Sequence, residues 1–486
     1  MTSETSSTVR TYGGWRERRG FGIAGMDGRG TALAIGGGVL TLGVGMFTPT
    51  GLLLIAPALL ALLAGAVLRV RGEPILVLAR RHAAFRRAAR RGWTAHRAGA
   101  GRPDRAEWTL PGPLATTILV DAVDDRARAW AAIWDRRTGT LTAVLNVAPT
   151  STWLVDPDQV DEWVGAWHAW LAKLGYAPLV AHVAVTVETT PAPPSALAAA
   201  VRPRTVPDAP PASLELIEDL LASSPATAAK VATRVAVTID PARAVDRLAS
   251  LPEQVAEFSR ALDGFTRSLT GCGVTVLGRA TRGELIATVR GGFDPAARDA
   301  LTSGLDTLTW TDARPVAAEE AWDHYRADSG LSVSWGWDEA PRQAVTAVVL
   351  ANLIAPGPHA KRVTMLYTPT PAAAAARELD QQAQAAVFRA QIKAKTGRDE
   401  TARDAADRAR AMQAAAEEAT GAGLVTMSLY VTTTVTDPGA LAKAAADTEA
   451  RADECRIRLR RLYGGQAVGF AAGLSAGINP ATLQGR

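Results

Sequence analysis

From Gly30 to Leu68 the chain carries no charged residue, a run of 39 positions bounded by Arg29 and Arg69. A helix that crosses a bilayer takes about 20 apolar residues, so the run is close to two spans, and Thr48, Pro49, Thr50 and Gly51 place a turn in its middle. The expectation is an N-terminal two-helix transmembrane hairpin, with helices over 31–48 and 52–68. Both halves are short, and the first holds Gly36, Gly37, Gly38, Gly43 and Gly45, so the pattern fits two spanning helices or a re-entrant hairpin. A cleaved secretory signal is disfavoured by length and by Arg10, Arg16, Arg18, Arg19 and Arg29 ahead of the run. Arginines at 69, 71, 80, 81, 86, 87, 90 and 91 follow it. Basic flanks stay on the cytoplasmic side, which puts both termini in the cytoplasm and the chain, as a multi-pass protein, in a bacterial inner (plasma) membrane. Small residues recur four apart at Ala34 and Gly38, Thr41 and Gly45, and Ala61 and Gly65, a spacing that lets membrane helices approach closely, within the hairpin or between subunits.

The remainder has a globular composition, 48% hydrophobic and 21% charged, and 486 residues allow two to four domains. Ala and Arg stand where Ile and Lys often do, the mark of a GC-rich bacterial genome. The net charge of +5 is concentrated beside the hydrophobic run, which points to lipid headgroups or a solvated helix and away from direct nucleic-acid binding. Cys272 and Cys455 are far apart and outside any ligand spacing, so neither a disulfide scaffold nor a zinc site is indicated.

The fold class expected is α+β: after the hairpin, a multi-unit α+β cytoplasmic region with an inserted helical hairpin. A cytoplasmic N-terminal segment (1–30) and the hairpin (31–70) lead to a basic juxtamembrane helix and linker (71–105). In the first α+β unit (106–190), 129–134 and 141–147 flank a glycine-containing loop as a β-hairpin. Asp156 and Pro157 then start a helix with Val160, Trp163, Val164, Trp167, Trp170, Leu171 and Leu174 at helical spacing, and 179–187 returns as a strand. A Pro-rich linker (191–212) leads to a second α+β unit (213–370). It contains helices over 213–221 and 252–269, strands over 234–239 and 274–277, a capping box at Thr281 and Glu284, and strands over 344–353 and 362–367. Its helix-strand-helix run is too weakly similar to the first unit to define a repeat. Helices over 372–395 and 401–420 form the hairpin (371–421). The C-terminal segment (422–486) closes the body with a strand over 424–435 and a helix over 438–462 ending in Arg456, Arg458, Arg460 and Arg461.

No catalytic, cofactor-binding or metal-binding residue is assigned, and no enzymatic activity is expected. Gly20, Gly22 and Gly25 have dinucleotide-motif spacing, but no strand precedes them and a membrane segment follows. The chain has no Gly-x-x-x-x-Gly-Lys-Ser/Thr sequence. His82, His96, His168, His182, His324 and His359 include no two at a helical metal-binding spacing. Cys272 with His324 could in principle be a nucleophile and base, yet nothing local orients either, and a buried thiol is the plainer reading. Trp163, Trp167 and Trp170 read as core and Trp153 is left open, while the arginines at 456–461 read as facing water.

Several motifs carry a resemblance. The hairpin framed by Tyr12-Gly13-Gly14-Trp15 resembles the small PrgI-type membrane subunit of conjugative type IV secretion systems. The segment Ile133-Trp134-Asp135-Arg136-Arg137-Thr138-Gly139-Thr140-Leu141, Ser151-Thr152-Trp153-Leu154, the helix end Leu171-Ala172-Lys173-Leu174-Gly175, and the stretch from Gly465-Gln466 to Leu474 resemble the N-terminal, non-ATPase region of conjugation ATPases. In that family a motor follows the segment corresponding to Phe470-Ala471-Ala472-Gly473-Leu474. The whole is similar to an actinobacterial family of integral membrane proteins of type IV-like secretion and conjugation clusters, and in plan to EccE of type VII secretion. The resemblance implies a non-catalytic, membrane-anchored structural subunit. Its implied partners are membrane lipid, a separate secretion ATPase and other membrane subunits, in a homo- or hetero-oligomer; the alternative is an EccE-like component of a type VII complex.

Overall fold

The computed structural model describes residues 12–13, 36, 65, 68–70, 73–98, 109–152, 155–192, 201–206, 208–223, 229–244, 250–301, 305–339, 341, 343–395, 402–419, 421 and 423–483. The expected membrane hairpin, apart from Gly36, Gly65 and 68–70, the motif at Gly20, Gly22 and Gly25, and Trp153 lie outside these residues. Among the described residues no helix is long and apolar enough to cross a membrane.

The body is a mixed α/β structure built on one antiparallel sheet of 13 strands. In chain order these are β1 (Ala95–Arg97), β2 (Thr117–Val123), β3 (Ala129–Asp135), β4 (Thr140–Pro149), β5 (Val180–Pro191), β6 (Ala229–Ile239), β7 (Val274–Arg279), β8 (Ala317–Glu320), β9 (Tyr325–Ala327), β10 (Gly330–Glu339), β11 (Ala360–Pro369), β12 (Val425–Val435) and β13 (Arg458–Arg461). Across the sheet the order is β1-β8-β9-β10-β12-β11-β5-β6-β4-β3-β2, with β7 also paired to β4 and β13 to β10.

That order is a duplication. One half runs β2-β3-β4-β6-β5 with β7 on β4; the other runs β8-β9-β10-β12-β11 with β13 on β10. The halves meet at the antiparallel β5–β11 ladder, where Thr364 lies opposite Thr186. Local chemistry repeats as well. Asp240 after β6 and Asp437 after β12 each cap a short 3-10 turn through a backbone N–H two residues on, and each turn has proline at its first position. A helix follows in each half, α4 (Leu251–Leu269) and α9 (Leu441–Glu454), then a buried cysteine, Cys272 or Cys455, then β7 or β13, then α5 (Arg282–Phe293) or α10 (Gln466–Ala472). Sequence periodicity did not reveal the repeat because the halves share turn positions and topology more than side chains.

Alternation along the strands separates two faces. Trp130 and Ala132 of β3 enter the core beneath α2 (Pro157–Leu174) and α4, where Phe258, Leu262 and Leu174 are also buried. Val363, Val431 and Trp335 do the same in the other half beneath α9 and the short α6 (Ala351–Ile354). Ala131 and Ile133 point the opposite way, towards α5, α10 and the buried chain at Leu474, Ala476 and Ile478. The sheet beneath that cover is unusually polar. Thr142 pairs with Thr238 (2.8 Å), Thr186 with Thr364 (3.0 Å), Ser332 with Thr434 (2.9 Å) and Ser334 with Thr432 (2.9 Å), each hydroxyl satisfying its neighbour across strands.

Short side chains let the covering backbone come close, which glycine completes. At Gly469 an added Cβ would stand 2.6 Å from Leu462 Cδ1 and 2.7 Å from Ser334 Cβ, and at Gly477, with φ +75°, it would meet Thr142 Oγ1. Gly469→Ala is therefore expected to lower stability by about 1–3 kcal/mol, measurable as a shift in the urea midpoint of unfolding.

Elsewhere the fold follows local signals. The capping box at Thr281 and Glu284 starts α5, and a second at Ser250 and Glu253 starts α4. The inserted hairpin is present as α7 (Ala372–Lys395) and α8 (Ala402–Ala419), and α3 (Pro211–Ser223) lies at the corresponding place in the first half, between β5 and β6. Two expectations are corrected. The strand over 344–353 is a turn leading into α6, because the places beside β11 are taken by β5 and β12. The helix over 438–462 ends at Glu454; Arg456 takes φ +58° and Arg458–Arg461 form β13. Apolar Ile457 and Leu459 alternate with arginines there, a period of two that specifies a strand.

Candidate functional site

The basic helix α1 (Ile75–Arg90) starts after Pro74, and Arg87 and Arg90 in its last turn complement the helix dipole. One face is held by the body. His82 and Phe85 meet Trp322 edge-on at centroid distances of 4.6 and 5.4 Å, and Trp322 stacks on Tyr463 at 6.0 Å. Just before the helix, Glu73 receives both guanidinium nitrogens of Arg81 (2.7 and 2.9 Å) and also pairs with Arg460, whose Nε is 3.4 Å from Asp338. Burial depresses the pKa of Arg81 and of Arg460.

The opposite face is open. Ala83, Arg86, Arg87, Arg90 and Arg91 line a shallow groove, and among the described residues no carboxylate pairs with Arg80, Arg86, Arg87 or Arg90. Apolar Leu68, Val70, Ile75, Leu76 and Val77 are exposed at the helix start, and Trp93 is exposed beyond its end with the Arg91 guanidinium 4.9 Å above the ring. Apolar and aromatic groups beside unpaired arginines match the two components of a lipid interface, acyl chain and anionic headgroup.

The other flank of the charge-free stretch is also tied down. Tyr12 exchanges two backbone hydrogen bonds of 2.7 Å with Val345, and its hydroxyl donates to Asp161 Oδ1 of α2 at 2.5 Å. Glu73, through Arg460, is tied to Asp338. Residues before and after the run from Gly30 to Leu68 thus both contact the body: Tyr12 at Val345, after β10, and Glu73 at Arg460 of β13, which in turn reaches Asp338 within β10.

A second charged cluster lies within the sheet, at the junction of the halves. Glu188 of β5 is paired with Arg234 of β6 (2.9 Å) and Arg298 (3.0 Å), and lies directly opposite Arg362 of β11 in the ladder. Burial alone would raise the Glu188 carboxyl, but Arg298, Arg234 and Arg362 outweigh it and hold it down to about 2. Burial, opposed by Glu188, lowers Arg362 to about 10; its Nη1 is buried without a partner, and its guanidinium lies 4.6 Å over the Phe470 ring. This arrangement locks strands of both halves together. The sequence signal for it was only a lone Glu and a lone Arg inside β-branched runs.

The remaining singled-out residues are dispersed. Cys272 is buried with its thiol 3.8 Å from the Ser268 carbonyl, and burial raises its pKa; His324 instead pairs with Asp323 at 2.9 Å. Cys455 is buried and raised likewise. His168 is exposed and His359 half-buried, and burial lowers His96. Burial depresses His182 to about 4, while its ring donates to the Gly477 carbonyl. Trp170 is buried, stacked on Trp167 at 5.0 Å, and the Trp163 ring fills the space beside Gly273. Arg460 and Arg461 face Glu73, Asp338, Asp323 and Glu449. Among the described residues no three His, Cys, Asp or Glu side chains gather as a metal site. In comparisons with known proteins, no family model matches the chain and no curated protein matches it.

Proposed function

We propose that the chain is a membrane-anchored structural subunit of a secretion or conjugation machine, holding a cytoplasmic docking platform for a separate ATPase against the inner membrane. The observation that carries this reading is the attachment of both flanks of the charge-free run to the body, Tyr12 at Val345 and Glu73 at Arg460. A hairpin that enters and leaves a bilayer must have both feet on one side, and attachment of Tyr12 and Glu73 to the same body supports that arrangement. The exposed arginines of α1 and the apolar groups at its start support the same reading.

The test is a topology measurement on the whole chain in cells. Thr50→Cys, in the turn of the hairpin, is expected to react with a membrane-impermeant maleimide added from outside, while the buried Cys272 and Cys455 leave the background low. Labelling only after the membrane is opened would overturn a spanning hairpin, and release of the wild-type protein by alkaline carbonate would overturn the anchor itself. For the platform, extraction in mild detergent should recover the chain with an ATPase or further membrane subunits; recovery alone would count against it. A neighbouring gene for a conjugation-type ATPase would support the type IV-like assignment, and genes for small secreted helical-hairpin proteins the EccE-like one.

A further inference from the structure

The charge-free run ends one hydrogen bond away from α1. Ile75 N–H donates to the Leu68 carbonyl at 3.0 Å, Arg69 pairs with Pro74 and Val70 with Glu73, so the chain reverses in a tight two-stranded turn. A Cβ at Gly65 would stand 3.8 Å from Leu76 Cβ, which sets that glycine of the run against the first turn of α1. Each helical residue rotates its side chain by about 100°, so Leu78, Arg81, His82, Phe85 and Ala88 share one side, and all five are partly buried towards the body. On the opposite side Arg86, Arg87, Arg90 and Arg91 stand exposed around Ala83, with Arg80 and Leu76 nearer the start. No carboxylate occurs in the sequence between Glu73 and Asp104.

We infer that this face of α1 is a seat for the phosphodiester headgroups of an anionic bilayer, and that lipid bound there fixes which side of the body faces the membrane. The inference rests on the membrane-anchored reading above for which plane α1 meets. Three observations select lipid. The arginines find no counter-charge in the neighbouring chain, since residues 1–30 hold five arginines against three carboxylates and residues 98–108 hold two against two. Apolar groups flank the arginines at both ends, Leu68, Val70, Leu76 and Val77 before them and Trp93 after them, all exposed. A nucleic acid or an acidic protein answers the charge and leaves the aliphatic groups in water, whereas a bilayer surface takes up both. The bond from Ile75 to Leu68 starts α1 at the depth where the apolar run stops, which is the headgroup layer.

Ala79→Cys in the full chain, labelled with a fluorophore, reports contact with lipid, because Cys272 and Cys455 are buried. In vesicles of phosphatidylcholine mixed with phosphatidylglycerol, bromine-labelled acyl chains are expected to quench it, since an interfacial helix sinks about 5–10 Å into the headgroup boundary. In phosphatidylcholine alone, or at high salt, quenching should be lost. Each single change of Arg86, Arg87, Arg90 or Arg91 to glutamine should lower the ratio of bound to free α1 about fivefold. The four changes together should abolish quenching while the chain still floats with the vesicles; four exposed arginines elsewhere, Arg126, Arg136, Arg267 and Arg326, changed together to glutamine, should leave it intact. Equal quenching in both vesicle types, equal loss in both fourfold variants, or no quenching of a chain that floats with both vesicles would overturn the seat and leave the anchor standing. Flotation only with phosphatidylglycerol, reversed by salt, would uphold the seat and overturn the spanning hairpin. Binding of a single-stranded oligonucleotide that the α1 variant loses, with no quenching by lipid, would assign the arginines to nucleic acid and overturn the inference. Should the labelled variant misfold, hydrogen exchange of the wild type at residues 86–93 decides: slower exchange in the mixed vesicles than in phosphatidylcholine supports the seat, and equal exchange overturns it.

Discussion

Replacing Glu188 with glutamine is expected to lower the unfolding free energy by about 3–5 kcal/mol, the cost of leaving buried cations without their counter-ion. Three arginines, Arg234, Arg298 and Arg362, surround this one carboxylate. Removing Arg234 or Arg298 instead leaves Glu188 with two cations, so either change to glutamine should cost less, about 1–2 kcal/mol. The pH dependence gives a second reading of the same site. The carboxyl is held at about 2 in the folded chain, below its ordinary value of 4.5, so its contribution is complete above about pH 4.5 and is lost as the pH falls towards 2. That window is worth about 3 kcal/mol in the wild type and should vanish in Glu188→Gln. Urea unfolding followed across this pH range measures both effects, and a variant as stable as the wild type would show that the cluster is not the lock between the halves.

The duplication explains why that cluster is a specialisation and not a requirement of the fold. Across the pseudo-twofold centred on Thr186 and Thr364, the ladder position corresponding to Glu188 opposite Arg362 is Leu366 opposite Ala184. An apolar pair serves there, so the sheet could close without charge. Sequence reading detected most elements of the first half, because β3, β4, α2 and β5 each carry a strong periodicity or cap. It found α7 and α8 from alternating charge and α5 from its capping box. It did not detect β2, although Thr117–Val123 is a β-branched apolar run, nor β8, β9 and β10, which are short or mix Gly, Ser, Ala and acidic residues and take their strand character from paired neighbours. The anchoring of α1 was legible as a basic helix, whereas its seat on Trp322 and the Glu73–Arg460 pair link residues hundreds of positions apart, which no local pattern encodes.

Acidification should act on the junction before it acts on Glu188, through His182. The ring lies in β5 beneath the chain at Gly477, donates to the Gly477 carbonyl, and has its other nitrogen buried without a partner. Burial is the main cause of its depressed pKa of about 4, and Arg243 adds to it. The neutral ring is the form the fold accepts, so the stability tied to it is complete above the ordinary value of 6.5 and is lost as the pH falls through 4. The loss across that interval is about 3 kcal/mol, and it precedes the Glu188 window. His182→Gln keeps an N–H donor for Gly477 and cannot titrate, so it should resemble the wild type at pH 7 and hold its stability at pH 5, where the wild type has already lost about 2 kcal/mol. Hydrogen exchange at residues 473–480, which cover the ring, localises the effect: exchange there should rise in the wild type between pH 6.5 and pH 4, beyond the intrinsic change of rate, and stay flat in His182→Gln. Equal acid sensitivity in the two proteins would assign the loss to another group.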